Sequence, residues 1–110
     1  MAFETQFTVR DLIVHNISVI SGFPEKRIND SDRLRWDLKM TAVQREALAP
    51  GFQKIARQFK PEAIVLRDDC GDLDTVEDSI KLVCKSAGGV KPSTPVHPPK
   101  YLVAAAEDRS

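Results

Sequence analysis

The sequence has little of what a metal site or a disulfide scaffold needs. Its 110 residues include two cysteines and two histidines, and their spacing does not resemble that of a zinc site. Two cysteines are too few for a disulfide framework, so we expect Cys70 and Cys84 to be free thiols in a reducing, cytoplasmic environment. A regulatory disulfide between them is the alternative.

Net charge and long apolar runs are also lacking. The 16 basic residues equal the 16 acidic residues, so the charge gives no case for a nucleic-acid partner. No apolar run approaches the roughly 20 residues that span a bilayer, and the first residues do not resemble a signal peptide. With 42% hydrophobic and 29% charged residues, the composition is typical of a single globular domain. We therefore expect a cytoplasmic monomer with no membrane or nucleic-acid partner.

The patterns of catalytic chemistry are missing as well. The sequence has no evident nucleophile–base pair, no glycine-rich phosphate loop and no metal cluster. Its acidic stretch around Gly71 lacks the ligand spacing of a calcium-binding EF-hand. We predict that the chain is not an enzyme and has no metal site.

What the sequence does contain is a series of helix signals. Thr8 followed by Asp11 is an acidic variant of the capping box, and apolar residues at helical spacing follow it. Gly22 suits the left-handed position that ends a helix. This pattern predicts a first helix over residues 9–21.

A second helix signal begins at Thr41, which forms a capping box with Gln44. Pro50 and Gly51 interrupt the pattern, because proline inside a helix removes a hydrogen bond and clashes with the preceding turn. We expect a kink or a break near Ala49, with Pro50 in the first turn of a second segment. The apolar stripe of both segments consists of Val43, Leu48, Phe52, Ile55 and Phe59.

Thr75 with Asp78 predicts a last helix, which ends at Gly88 and Gly89. Its expected buried residues are Val76, Ile80, Leu82 and Val83. Between the helices, residues 64–66 are all apolar, and we expect a packed loop or a short helix there because no second strand is evident. The apolar residues of the stretch 23–40 suggest a loop held on the core by Ile28, Leu34, Trp36 and Leu38.

The chain's last part has a different composition. Residues 90–110 hold four of the seven prolines, which favours an extended, mobile tail. The apolar stretch 101–106 is alternatively a short docking segment for a partner or for the domain itself. We therefore divide the chain into a helical domain, residues 8–87, and a flexible proline-rich tail, residues 88–110.

Two motifs and the order of the helices carry a resemblance to a known family. Residues 37–43, Asp-Leu-Lys-Met-Thr-Ala-Val, look like the signature Asp-Leu-Gly-x-Asp-Ser-Leu of acyl carrier proteins. Residues 74–80 look like the start of that family's final helix, commonly Thr-Val-x-Asp-x-Ile. Gly22, Ile28 and residues 31–34 add to the likeness, which extends over residues 8–86. The resemblance implies an all-α, acyl-carrier-like four-helix bundle with a long first loop.

The resemblance also implies where the family's chemistry resides. Acyl carrier proteins attach a phosphopantetheine arm to a serine at the start of the second helix, where the helix N-terminus favours a phosphodiester. In this sequence the matching residue is Ala42, which has no hydroxyl group. Thr41 has a hydroxyl, but it lies one residue away and is expected to cap the helix. We therefore expect no cofactor, with modification of Thr41 as the weak alternative.

The charges around the second helix differ from the family's acidic pattern. Residues 41–60 contain four basic residues and one acidic residue, whereas residues 61–80 contain seven acidic residues and one basic residue. The two segments are either two solvated faces, which can also pair with each other within the fold, or the acidic segment is a docking surface moved to the third and fourth helices. The residues expected to contact a protein partner are Val43, Arg45, Lys54 and Arg57.

Three functions follow as hypotheses. The first is a carrier-like domain without an arm that binds or regulates an enzyme handling acyl or aminoacyl groups. The second is a functional acyl carrier modified at an unusual residue. The third is an unrelated helical adaptor.

Overall fold

The first helix follows its capping signal closely. The computed structural model describes residues 7–97, in which helix α1 spans Val9–Ser21. The Thr8 hydroxyl accepts a hydrogen bond from the Asp11 N–H at 3.2 Å, and the Asp11 carboxylate accepts one from the Thr8 N–H at 2.9 Å. Gly22 has a φ of 83°, which glycine adopts readily. The predicted helix and both of its ends are confirmed.

The second helical stretch is broken into two helices. Helix α2 spans Ala42–Glu46, and helix α3 spans Ala49–Ala56, with Pro50 in its first turn. The predicted interruption is therefore a break between two segments. Helix α3 ends earlier than its apolar stripe suggests, since Phe59 lies in the turn that follows and is partly buried.

Two further helices follow, α4 at Arg67–Gly71 and α5 at Val76–Ser86. Thr75 and Asp78 form the expected capping box of α5. Three of the four residues expected on its buried side are buried, and Leu82 is partly buried.

Residues 63–66 form an extended segment before α4. Ala63 and Val65 are buried, whereas Ile64 is 66% exposed and Leu66 is 55% exposed. The Val65 N–H donates to the side-chain oxygen of Gln53 at 3.1 Å, which replaces the missing strand partner. The prediction of a packed loop therefore holds for alternate residues only.

The helices form two packed groups that share one core. Helices α1, α3 and α5 pack against one another, and the short helices α2 and α4 pack together. Burial of apolar side chains between them is the main stabilising contribution. The largest fully buried side chains include Ile13, Ile17, Leu34, Met40, Leu48 and Phe52.

The long first loop lies on this core, as predicted. It contains a 3₁₀ turn at Glu25–Arg27 and buries Ile28, Leu34, Leu38 and Met40. The expectation for Trp36 is wrong, because this side chain is 57% exposed. The guanidinium carbon of Arg35 lies 4.8 Å from the centroid of its ring, so the indole contacts a cation instead of the core.

Backbone hydrogen bonds join this loop to the start of α5. The Leu34 N–H donates to the Asp74 carbonyl at 2.8 Å, and the Val76 N–H donates to the Asp32 carbonyl at 3.0 Å. The two bonds lie on either side of an isolated bridge between Arg33 and Thr75. Together these contacts hold the loop against the start of α5.

The described part of the chain also contains a small sheet that the all-α prediction does not include. Strand β1, Phe7–Thr8, pairs antiparallel with strand β2, Pro95–Val96. Phe7 lies opposite Val96, and both are partly buried against the core.

The segment before β2 also bonds to the first turn of α1. The Val9 N–H donates to the Thr94 carbonyl at 3.0 Å, and the Arg10 N–H donates to the Pro92 carbonyl at 3.1 Å. These amides are among the first four of a helix, which have no partner within it. Residues 92–97, assigned to the tail by composition, therefore bond to the helical domain. Residues 98–110, including the stretch 101–106, lie outside the described residues.

The fold is thus mostly helical with a two-stranded sheet. Among residues 7–97, no helix has the length and apolar character needed to cross a membrane.

Candidate functional site

The start of α2 is held by a complete capping box. The Thr41 hydroxyl accepts a hydrogen bond from the Gln44 N–H at 3.2 Å, and the Gln44 side-chain oxygen accepts one from the Thr41 N–H at 2.8 Å. The Gln44 side-chain NH₂ donates to the Ile20 carbonyl at 3.3 Å, which ties the start of α2 to the end of α1. Thr41 has the capping role predicted for it.

Ala42 is the first residue of α2, and it is exposed. A phosphopantetheine arm requires a hydroxyl oxygen for its phosphoester, and the methyl group of alanine supplies none. The residue at this position therefore does not fit the group that the resemblance implies. The helix start nevertheless has both hydrogen bonds of a capping box.

Val43 follows Ala42 and is 74% exposed. Among residues 7–97, five large hydrophobic residues are exposed: Val19, Trp36, Val43, Ile64 and Leu66. Three of these lie on α2 or on the segment leading into α4, and the two helices pack together. We name Val43, Ile64 and Leu66 the α2–α4 apolar residues.

Two of these residues were not expected at a surface. The stretch 64–66 is apolar throughout, so no alternation of apolar and polar residues marks which side chain faces outward. The outward direction of Ile64 and Leu66 follows from the position of Val65, whose N–H is bonded to Gln53.

Arg45 lies on α2, and its guanidinium group bonds to backbone carbonyls. Its Nη1 donates to the Met40 carbonyl at 2.8 Å, and its Nε donates to the Gly71 carbonyl at 3.1 Å. The side chain therefore joins Met40, two residues before α2, to Gly71, the last residue of α4. Arg45 was predicted to contact a partner, and in the structure its side chain instead holds two parts of the fold together.

Arg57, like Arg45, has a side chain bonded to a backbone carbonyl, whereas Lys54 has no such bond among the described residues. The Nε of Arg57 donates to the Ala63 carbonyl at 2.9 Å, so this residue holds the segment that leads to α4. Lys54 is exposed and takes part in none of the ion pairs found among residues 7–97. Of the four predicted residues, Val43, Lys54 and Arg57 are exposed, and the guanidinium group of Arg57 is engaged in part by its bond to the Ala63 carbonyl.

The basic segment 41–60 and the acidic segment 61–80 are not joined by ion pairs within the described residues. The salt bridges there connect Arg10 with Asp30 and Lys81 with Glu77, and His15 forms a hydrogen bond with Glu25. Arg45 and Arg57 contact backbone oxygens of the acidic segment, and its exposed carboxylates include those of Glu62, Asp68, Asp69 and Asp72. Mutual ion pairing of the two segments is therefore not observed among residues 7–97, and the exposed carboxylates are compatible with a solvated face as well as with a docking surface.

Both cysteines are buried free thiols. Burial raises the pKa of Cys70 to about 11, with a further contribution from the negative charge of Asp69. Burial also raises the pKa of Cys84. Because the thiolate is the reactive form, neither position has the environment of a catalytic cysteine.

Within residues 7–97, no group of three or more His, Cys, Asp or Glu side chains has an arrangement that would hold a metal ion. Comparisons of the chain with family models, with curated proteins and with solved structures give no match. The site is therefore interpreted from its own geometry.

Proposed function

We propose that this chain is an acyl-carrier-like domain that holds no phosphopantetheine arm and acts by binding a protein. The observation that supports this most directly is the exposed Ala42 at the first position of a helix whose start has a complete capping box. A domain that kept the helix for its position, but not for covalent attachment, would have this combination. The proposal assigns no catalytic residue to the chain.

The position of Thr41 argues against its replacing the missing serine. Its hydroxyl oxygen accepts the Gln44 N–H, so a transferase would have to remove a capping interaction of about 1 kcal/mol to use it. A shift of one residue along a helix also turns a side chain by about 100°. The capping role and the attachment role are therefore in conflict at this residue.

Mass spectrometry of the intact chain tests the absence of the arm. The chain is incubated with coenzyme A and a phosphopantetheinyl transferase of broad specificity, alongside the Ala42→Ser variant. We expect no mass increase for the natural sequence and an increase of one phosphopantetheine for Ala42→Ser. An increase on the natural chain that maps to Thr41 would show the chain to be an active carrier. If neither protein gains mass, the carrier resemblance loses its support.

The proposed partner is an enzyme that transfers acyl or aminoacyl groups. Val43 is the residue that we expect to contribute most to binding, because it is 74% exposed and lies beside the position where a carrier presents its arm. Lys54 is the accessible cation of the neighbouring helix α3. An apolar residue with a charged neighbour is a common arrangement at protein interfaces.

A matched pair of substitutions tests this surface. Val43→Asp and Val19→Asp each place a charge at an exposed helical valine, on α2 and α1 respectively. Binding is measured by calorimetry against purified acyl- and aminoacyl-transfer enzymes from the source organism. We expect saturable binding to one of them, weakened about tenfold by Val43→Asp, a loss of about 1.4 kcal/mol, and unchanged by Val19→Asp. Equal effects of the two substitutions would contradict the assignment of the surface.

A further inference from the structure

The end of the described chain is held beside the end of α3. The side-chain NH₂ of Gln58 donates to the His97 carbonyl at 2.9 Å, and the His97 N–H donates to the side-chain oxygen of Gln58 at 2.9 Å. This two-way contact has the hydrogen-bond pattern of a strand partner. It fixes the point from which residues 98–110 continue.

The end of α3 and the turn that follows it also hold the segment with two of the α2–α4 apolar residues. Arg57, next to Gln58, bonds to the Ala63 carbonyl, and Gln53 bonds to the Val65 N–H. With Ala63 and Val65 turned inward, Ile64 and Leu66 face outward. His97 and these two exposed side chains are therefore linked through neighbouring residues of one helix end.

The sequence after His97 supplies a matching apolar group. Two prolines and Lys100 are followed by Tyr101, Leu102 and Val103. Four extended residues span up to about 14 Å and six up to about 20 Å, which sets how far these side chains extend from His97. Lys100 also has the charge opposite to that of Glu62, which lies beside this segment and is exposed.

We propose that Tyr101, Leu102 and Val103 of this chain dock on Ile64 and Leu66 and shield them from water. Removal of exposed apolar surface favours the contact, and the anchor at His97 gives the segment a high effective concentration. Val19, Trp36 and Val43 are the other exposed large apolar residues among residues 7–97, but none of them belongs to a segment that bonds to residues 53–58 there. This inference goes beyond the proposed function, since it requires neither a lost arm nor an enzyme partner.

Paramagnetic broadening in the full chain tests the contact. A nitroxide label on Ala105→Cys places the probe two residues after Val103, and amide signals are compared before and after its reduction. We expect the amides of residues 63–66 to lose more than half of their intensity while those of Val19 and Trp36 keep theirs. Adding Leu102→Asp to the labelled chain should abolish the selective loss, because burying a carboxylate against apolar side chains is unfavourable.

Two controls make the result decisive. The natural chain, treated with the same reagent, reports any label on the buried Cys70 or Cys84. A mixture in which the label and the ¹⁵N are on different molecules reports contacts between copies. Broadening that is absent at residues 63–66, that is centred on Val19 or Trp36, or that persists in the mixture would overturn the proposal.

Discussion

Asn16 on α1 and Gly51 on α3 touch where the two helices pack, and a Cβ atom at position 51 would lie 2.5 Å from Nδ2 of Asn16. The same Nδ2 donates to the Leu48 carbonyl at 3.2 Å. The absence of a side chain at Gly51 therefore leaves room for a polar contact that ties α1 to the residue before α3.

We expect Gly51→Ala to destabilise the fold by about 1 kcal/mol in urea unfolding. Alanine gains up to about 1 kcal/mol over glycine inside a helix, but displacing the Asn16 side chain costs about 1–3 kcal/mol through overpacking and the lost hydrogen bond. In an Asn16→Ala background the obstacle is absent, and Gly51→Ala should become neutral or stabilising. The same loss in both backgrounds would show that this contact is not the cause.

Arg45 and Lys54 offer a second comparison, because the sequence assigns both to a partner and the structure places them differently. Arg45→Gln removes hydrogen bonds to the carbonyls of Met40 and Gly71. We expect it to lower the free energy of unfolding by about 1–2 kcal/mol. Lys54→Gln removes the same charge from an exposed position and should change stability by less than about 0.5 kcal/mol. Similar losses in denaturant titrations of the two variants would contradict the structural role of Arg45.

The starts of α1 and α5 and the break before α3 were predictable because their signals are local. A capping box places donor and acceptor three residues apart, as at Thr8 and Thr75, so the sequence contains both partners of the interaction. The capping box of Thr41 and Gln44 is local as well, so the sequence predicts that Ala42 is the first residue of α2, which is the central feature of the candidate site.

Features that depend on distant contacts were not predictable. Phe7 and Val96 pair only because α1 and the end of the chain meet in the fold, and neither two-residue strand has a pattern of its own. Trp36 is apolar in sequence and exposed in the structure, because the neighbouring Leu34 and Leu38 occupy the core positions of the loop. Ile64 faces outward for a comparable reason, the bond between Val65 and Gln53.

Gln58 and Gln53 give a matched test of how the last described residues are held. Gln58→Ala removes the acceptor for the His97 N–H, and we expect hydrogen exchange of that amide to accelerate about fivefold, as the loss of one hydrogen bond of about 1 kcal/mol implies. Gln53→Ala removes the acceptor for the Val65 N–H and should accelerate exchange there while leaving His97 unchanged. The exchange is followed by NMR. If Gln58→Ala leaves the exchange of His97 unaltered, the contact does not protect this amide.

The raised pKa of Cys70 predicts a loss of folding stability at alkaline pH. Its pKa is raised from 9.0 to about 11, first by burial and then by Asp69, so the folded chain keeps the thiol proton in a range where the unfolded chain has lost it. Stability from this thiol is therefore complete below pH 9 and declines as the pH rises towards 11, by at most roughly 2–3 kcal/mol. Guanidinium unfolding at pH 8 and pH 10.5 measures the decline.

Two variants isolate the contribution of this thiol. Cys70→Ala lowers stability at both pH values because it leaves a cavity, but the further loss between pH 8 and pH 10.5 should be smaller than in the natural chain. Cys84→Ala removes the other buried thiol and should retain the part of the loss that Cys70 causes. If the natural chain and Cys70→Ala lose equal free energy over this interval, other groups carry the pH dependence and the buried thiol does not.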